Sequence, residues 1–170
     1  MSRGEGRGDM SVRMRIKGLM IDPVSNMPII VLKDPEGDAV LPIWVGIFEA
    51  NAIAMQLEKV VSPRPMTHDL LRNVIESLRA RVDRVVITDL KDNTFFALIH
   101  LERNGDRLSV DSRPSDAMAL ALRAEAPIFV EQAVLDKSAS PDAGGDSEET
   151  ERLRRWLETV EPEELGKYEM

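Results

Sequence analysis

A stretch in the first half of this chain is echoed in the second, and the echo constrains the fold more than any other feature. Leu41 to Met55 reads LPIWVGIFEANAIAM, and Leu108 to Leu122 reads LSVDSRPSDAMALAL. At a constant shift of 67 residues Leu41 meets Leu108, Glu49 meets Asp116, and Ala50, Ala52 and Ala54 meet Ala117, Ala119 and Ala121. Each copy carries an apolar strand into an alanine-rich helix, with an acid at the junction. Small residues on both helices allow close approach, so the two are expected to pack together or on one shared sheet face.

The surrounding segments extend the pattern. Val12 to Ile21 alternates as a strand interrupted near Gly18, and Pro28 to Lys33 and Ala39 to Val45 follow around the turn Asp34-Pro35-Glu36-Gly37-Asp38. Pro42 points to an edge or a bulge. Gly46 releases a helix from about Ile47 to Val60, and Ser62-Pro63-Arg64-Pro65 ends it. Thr67 suits the cap of a second helix, with Asp69 in its first turn. There Leu70, Leu71, Val74, Ile75 and Leu78 form a stripe expected to pack by one side.

Strands at Arg84–Thr88, Thr94–Leu101 and Arg107–Asp111 come next, with Asn104-Gly105 signalling a type I′ hairpin. A helix over 114–125 and extended pieces at Ile128-Phe129-Val130 and Val134-Leu135 close the pattern. The order is β-β-β-α-α followed by β-β-β-α-β. This implies an α+β fold: a single domain with a large mixed or antiparallel sheet and helices, built from internally duplicated β-β-β-α units. Residues 1–10 read as a disordered N-terminus, 11–136 as the domain, and 137–150 as an acidic linker. Residues 151–170 read as a C-terminal helix and tail, with Leu153, Trp156, Leu157 and Val160 on one side folding back onto the domain.

Composition removes several classes of function. No apolar run approaches the ~18 residues of a membrane span, so no membrane association is expected. The first residues lack the apolar core of a secretory signal. With no cysteine there is no disulfide, thiolate metal site or cysteine nucleophile, and a cytoplasmic protein is the simplest reading. The net charge of −8 runs against tight nucleic-acid binding, although five acids fall in 142–151 with no base among them. No Walker loop, dinucleotide glycine fingerprint, HExxH or Gly-x-Ser-x-Gly occurs.

Chemistry therefore concentrates at the second junction, Asp111-Ser112-Arg113-Pro114-Ser115-Asp116. One reading is helix-start chemistry: Pro114 at the first helical position, Ser112 or Arg113 at the cap, Asp116 on the helix dipole. The other takes Asp111, Asp116 and Glu49 as a carboxylate cluster for Mg²⁺ or Mn²⁺, since hard cations use one or two carboxylates plus substrate phosphates. Arg113 would then bind phosphate through its planar fork, with Ser115 and Arg64 as further substrate contacts. His68 is either an exposed residue of a helix cap or a general base or metal or phosphate contact. His100 reads as a surface or structural residue, and Trp44, Phe48, Phe95 and Phe96 as core.

At Leu41 to Ala54, Arg64-Pro65-Met66-Thr67-His68-Asp69-Leu70 and Asp111 to Leu122, the chain resembles the bifunctional nuclease family. The resemblance covers roughly residues 12 to 136. It implies a single α/β domain with a large mixed sheet and duplicated halves, and, from plant members, nuclease activity on DNA and RNA. Some relatives append a UVR-type motif; the tail here, with Leu153-Arg154-Arg155-Trp156-Leu157-Glu158, does not look like it. Two functional expectations follow. The first is phosphodiester hydrolysis on nucleic acid, with Asp116, Glu49, His68 and Asp111 as the catalytic set, a divalent cation and no organic cofactor. The second is a non-catalytic regulatory or assembly module that uses the same polar motif as an interface. A homo-oligomer fits either.

Overall fold

In the computed structural model, residues 10–139 and Arg155 are described; the N-terminal stretch 1–9 and the rest of the tail lie outside them. The elements run β1 (Ser11–Ile21), β2 (Pro28–Lys33), β3 (Val40–Trp44), α1 (Ile47–Leu57), α2 (Thr67–Ser77), β4 (Arg81–Lys91), β5 (Thr94–Arg103), β6 (Asp106–Ser112), α3 (Pro114–Ala124), β7 (Ile128–Glu131) and α4 (Gln132–Ala139). The strands form one seven-stranded sheet in the order β3-β2-β1-β7-β4-β5-β6. Every pairing is antiparallel except β4 with β7. The fold is α+β, a single domain on a mixed sheet.

Local chemistry explains the boundaries. Both tight hairpins of the second half place two consecutive residues at positive φ, Asp92 with Asn93 and Asn104 with Gly105. That is the type I′ geometry whose twist matches the flanking strands. β1 crosses Gly18 as a continuous strand, and the irregularity there is a register shift against β2 between Ile16 and Gly18. Pro42 sits in the edge strand β3, where it removes no ladder bond to a further neighbour. α3 stops at Glu125, whose left-handed backbone (φ 55°) ends the helix.

β2 is buried on both faces. Ile30 and Leu32 join the main core with Leu41, Ile43, Ile53 and the α3 residues Met118 and Leu120, while Ile29 and Val31 pack with Met20 on the other side. α1 and α3 begin at Ile47 and Pro114, are 11 residues each, and pack on one another, as the alanine spacing suggested.

Four expectations are corrected. Val134 and Leu135 are buried on a helix, α4, which continues through Ala139; a short apolar pair does not distinguish strand from helix. The N-cap of α2 is Met66 rather than Thr67, and its N–H is satisfied by the Asp69 carboxylate at 3.0 Å. On α2 only Ile75 of the apolar stripe is buried, and Leu70, Leu71, Val74 and Leu78 face outward. Trp44, Phe48 and Phe96 are not core: Phe48 is 88% exposed, Phe96 is exposed on β5, and Trp44 is held at the surface by its indole N–H donating to Asp22 at 3.0 Å. The tail residues expected to fold back, Leu153, Trp156, Leu157 and Val160, lie outside the described residues. Among the described residues no helix is long and apolar enough to cross a membrane.

Leu120 is fully buried where α3 meets the sheet, and Leu108 stands half-exposed on the edge strand β6. Leu120→Ala should lower unfolding free energy by ~2–5 kcal/mol in urea titrations. Leu108→Ala should stay within ~0.5 kcal/mol of wild type. Equal effects of the two would contradict this core.

Candidate active site

Three helix starts converge on one polar cluster. α1 supplies Glu49, α2 supplies His68, and Arg113 and Asp116 come from the first turn of α3 and the residue capping it. Asp116 is the hub. Its Oδ1 lies 2.9 Å from His68 Nε2, and its Oδ2 accepts from Arg113 Nε at 3.0 Å and Nη2 at 2.9 Å. The same Nη2 reaches Glu49 Oε1 at 3.2 Å, so one guanidinium spans two carboxylates. Glu49 folds back over its own helix start: a Cβ at Gly46 would collide with the Glu49 carboxylate. The glycine at that cap leaves room for the side chain.

Burial grades across the cluster. The His68 side chain is 11% exposed, while Arg113 is 66% exposed and offers its outer edge to solvent. Burial of the Asp116 carboxyl opposes its charge, but the hydrogen bonds from His68 and Arg113 outweigh this and hold it below the usual carboxylate range. Asp116 is thus an acceptor, so His68 Nε2 donates to it. That fixes the tautomer and leaves Nδ1 as the position for proton exchange.

The candidates named from the sequence divide. Glu49, His68, Arg113 and Asp116 come together. Ser115 is buried in the first turn of α3. Asp111 is exposed near the end of β6, paired in the ladder with Leu98, and Arg64 is exposed on the connection ahead of α2. Among the described residues no group of three or more His, Asp and Glu side chains is arranged to hold a metal ion. His68 is buried, contrary to the exposed-cap reading. His100 lies elsewhere, on β5, with Nδ1 3.1 Å from the Ser109 hydroxyl.

Beneath the cluster sits a residue the sequence reading passed over. The Arg123 side chain is 3% exposed. Its Nε donates to Asp69 Oδ1 on α2 at 2.8 Å, its Nη2 to the Ala52 carbonyl on α1 at 2.9 Å, and its Nη1 to the Ala119 carbonyl on α3 at 2.9 Å. Asp69 answers with both oxygens, one for Arg123 and one for the Met66 N–H. The available signal was a single base ending the otherwise apolar run Ala117–Leu122.

A family model described as the bifunctional nuclease domain matches residues 30–142. An uncharacterised protein of Mycobacterium tuberculosis is 38% identical over 161 residues, covering 89% of this chain and 96% of its own length. Bifunctional nuclease 2 of Arabidopsis thaliana is 30% identical over 105 residues, 59% of this chain and 32% of that protein. Bifunctional nuclease 1 of Oryza sativa subsp. japonica is 29% identical over 109 residues, 62% of this chain and 33% of that protein. The chain thus spans about a third of these plant relatives.

Arg123→Met should cost ~1–3 kcal/mol in urea denaturation, because it removes the charged hydrogen bonds that tie α1, α2 and α3 together and leaves the Asp69 carboxylate without its guanidinium. Acid should act on the same contacts. The Met66 N–H lowers the Asp69 pKa most, burial opposes it, and Arg123 lowers it further; Asp116 is lowered as well. A carboxylate depressed on folding contributes stability above its unfolded value, near 3.8, and loses it as pH falls through the folded value. The urea midpoint should therefore drop on acidification below about that pH, and Asp69→Asn should flatten the drop. An unchanged slope in Asp69→Asn would refute the assignment.

Proposed function

The chain belongs to the bifunctional nuclease domain family, and from that premise we propose that it hydrolyses phosphodiester bonds in DNA, RNA or both. The observation that carries the reading is the linked quartet Glu49–Arg113–Asp116–His68: a solvent-facing guanidinium held between two carboxylates, beside a histidine fixed by one of them. The guanidinium fork suits a phosphate's geometry and charge. Asp116 orients His68, whose Nδ1 accepts the proton of the attacking water or returns one to the leaving oxygen. Ser115 and Arg64 are further substrate contacts in this proposal, and Asp111 lies upstream on the same polypeptide.

A divalent cation belongs to the proposal. Glu49 and Asp116 suit a Mg²⁺ or Mn²⁺ that takes its other ligands from water and substrate phosphate, with Asp111 as a third candidate. Such an ion would supply charge stabilisation at the phosphoryl oxygens. Arg113 now pairs with the same two carboxylates, whose combined charge exceeds its own, so it and a cation share them. The acidic net charge of the chain makes this local positive edge, rather than the global field, the feature that receives substrate. The proposal includes a cytoplasmic setting.

A second reading has an observation of its own. The quartet is internally paired, with every charge answered, as in an interface or folding element of a non-catalytic assembly module. Purified full-length chain separates the two. The nuclease reading expects cleavage of single-stranded DNA or RNA with Mg²⁺ or Mn²⁺, abolished by chelator. It expects a loss of ~10²–10⁴-fold in His68→Ala and Asp116→Asn at retained circular dichroism, and failure of Arg113→Lys to restore the forked contact. No turnover on either polymer, with Asp116→Asn lowering the melting temperature alone, would decide for the module.

A further inference from the structure

We infer that the outward face of α2 is a homodimer interface, in which two copies of this chain pack their α2 helices antiparallel across a two-fold axis near Val74. The inference is independent of the nuclease reading. Helical spacing puts Leu70, Val74 and Leu78 on successive turns of one face, with Leu71 beside them, and all four are 39–56% exposed. The inward face belongs to His68, Arg72 and Ile75: His68 bonds Asp116, and Arg72 donates to the Arg123 carbonyl at 3.3 Å. Those polar anchors fix the helix's rotation, so the apolar stripe cannot turn into its own core.

Two observations select a second copy as the occupant. The first is self-complementarity. An isologous interface needs a patch that matches itself under a two-fold rotation. Leu70 and Leu78 lie four residues to either side of Val74, so antiparallel α2 helices set leucine against leucine with the two valines at the axis. The second is area. With Met66 one turn before Leu70, also exposed, the outward apolar surface is on the order of 400 Å² per copy. This is close to the apolar share, ~57%, of the ~800 Å² that each partner gives a standard-size interface. Because His68 stands in the first turn of α2, such a dimer would border each copy's polar cluster.

The chain contains no cysteine, which makes a direct test available. Packed helices lie ~8–10 Å apart with Cα atoms ~2.3 Å off each axis, so two residues facing each other at the axis come within disulfide reach, ~4.4–6.8 Å between Cα atoms. Full-length wild type should sediment as two 19.0 kDa chains at micromolar concentration. Val74→Cys should give a covalent dimer on mild oxidation, while Val24→Cys, at an exposed position on the β1–β2 turn, should not. Val74→Glu should sediment as a monomer with an unchanged circular dichroism spectrum. A monomeric wild type, with the tail or another protein covering α2, overturns the inference. So does a dimer that survives Val74→Glu, or a dimer in which Val74→Cys fails to cross-link.

Discussion

The helical layer depends on one buried guanidinium. Arg123 is almost without solvent, and it is tolerated there because a carboxylate and two main-chain carbonyls receive it. A charge in the interior is costly unless paired and fully hydrogen-bonded, so the geometry around it is demanding. The three acceptors come from three helices. Satisfying Arg123 therefore fixes α1, α2 and α3 relative to each other, and with them Glu49, His68 and Asp116. The polar cluster rests on a buried guanidinium.

The same competition decides how α2 sits. By apolar pattern alone this helix would turn Leu70, Val74 and Leu78 inward. Instead the polar contacts of His68, Asp69 and Arg72 set the rotation, and the apolar face is left outside. Leaving buried charges unpaired would cost several kcal/mol each, against ~1 kcal/mol each from burying the exposed half of Leu70, Val74 and Leu78. Polar pairing prevails over apolar patterning here, and the displaced hydrophobic surface becomes available to another chain.

These features separate what could be read from the residues from what could not. Strands, the Asn104-Gly105 hairpin and the α1 and α3 starts were legible because alternation, Asn-Gly chemistry and Gly46 or Pro114 act locally. The closeness of Glu49 to Asp116 was suggested by the repeated motif. The His68–Asp116 bond joins residues 48 positions apart, and no local rule reports it. Arg123 was passed over for a related reason: a helix-terminal arginine looks like an ordinary favourable end charge until the fold shows what surrounds it. Val134-Leu135 misled because two apolar residues have no period, and α2 misled because its clear period belonged to a surface that faces away from this domain's core.

The sheet order carries one more consequence, in the time course of synthesis. β3-β2-β1 and β4-β5-β6 are each local antiparallel meanders, complete as soon as their residues are available. Of the described strands, β7, which lies between them, is the last to be made, and it pairs antiparallel with β1 and parallel with β4. Ser11 must find Glu131, across nearly the whole domain. Until then each half presents an open edge at β1 or β4, the kind of unpaired backbone that recruits other strands. Four residues near the end of the domain, Ile128–Glu131, are therefore the seam that makes two meanders one sheet.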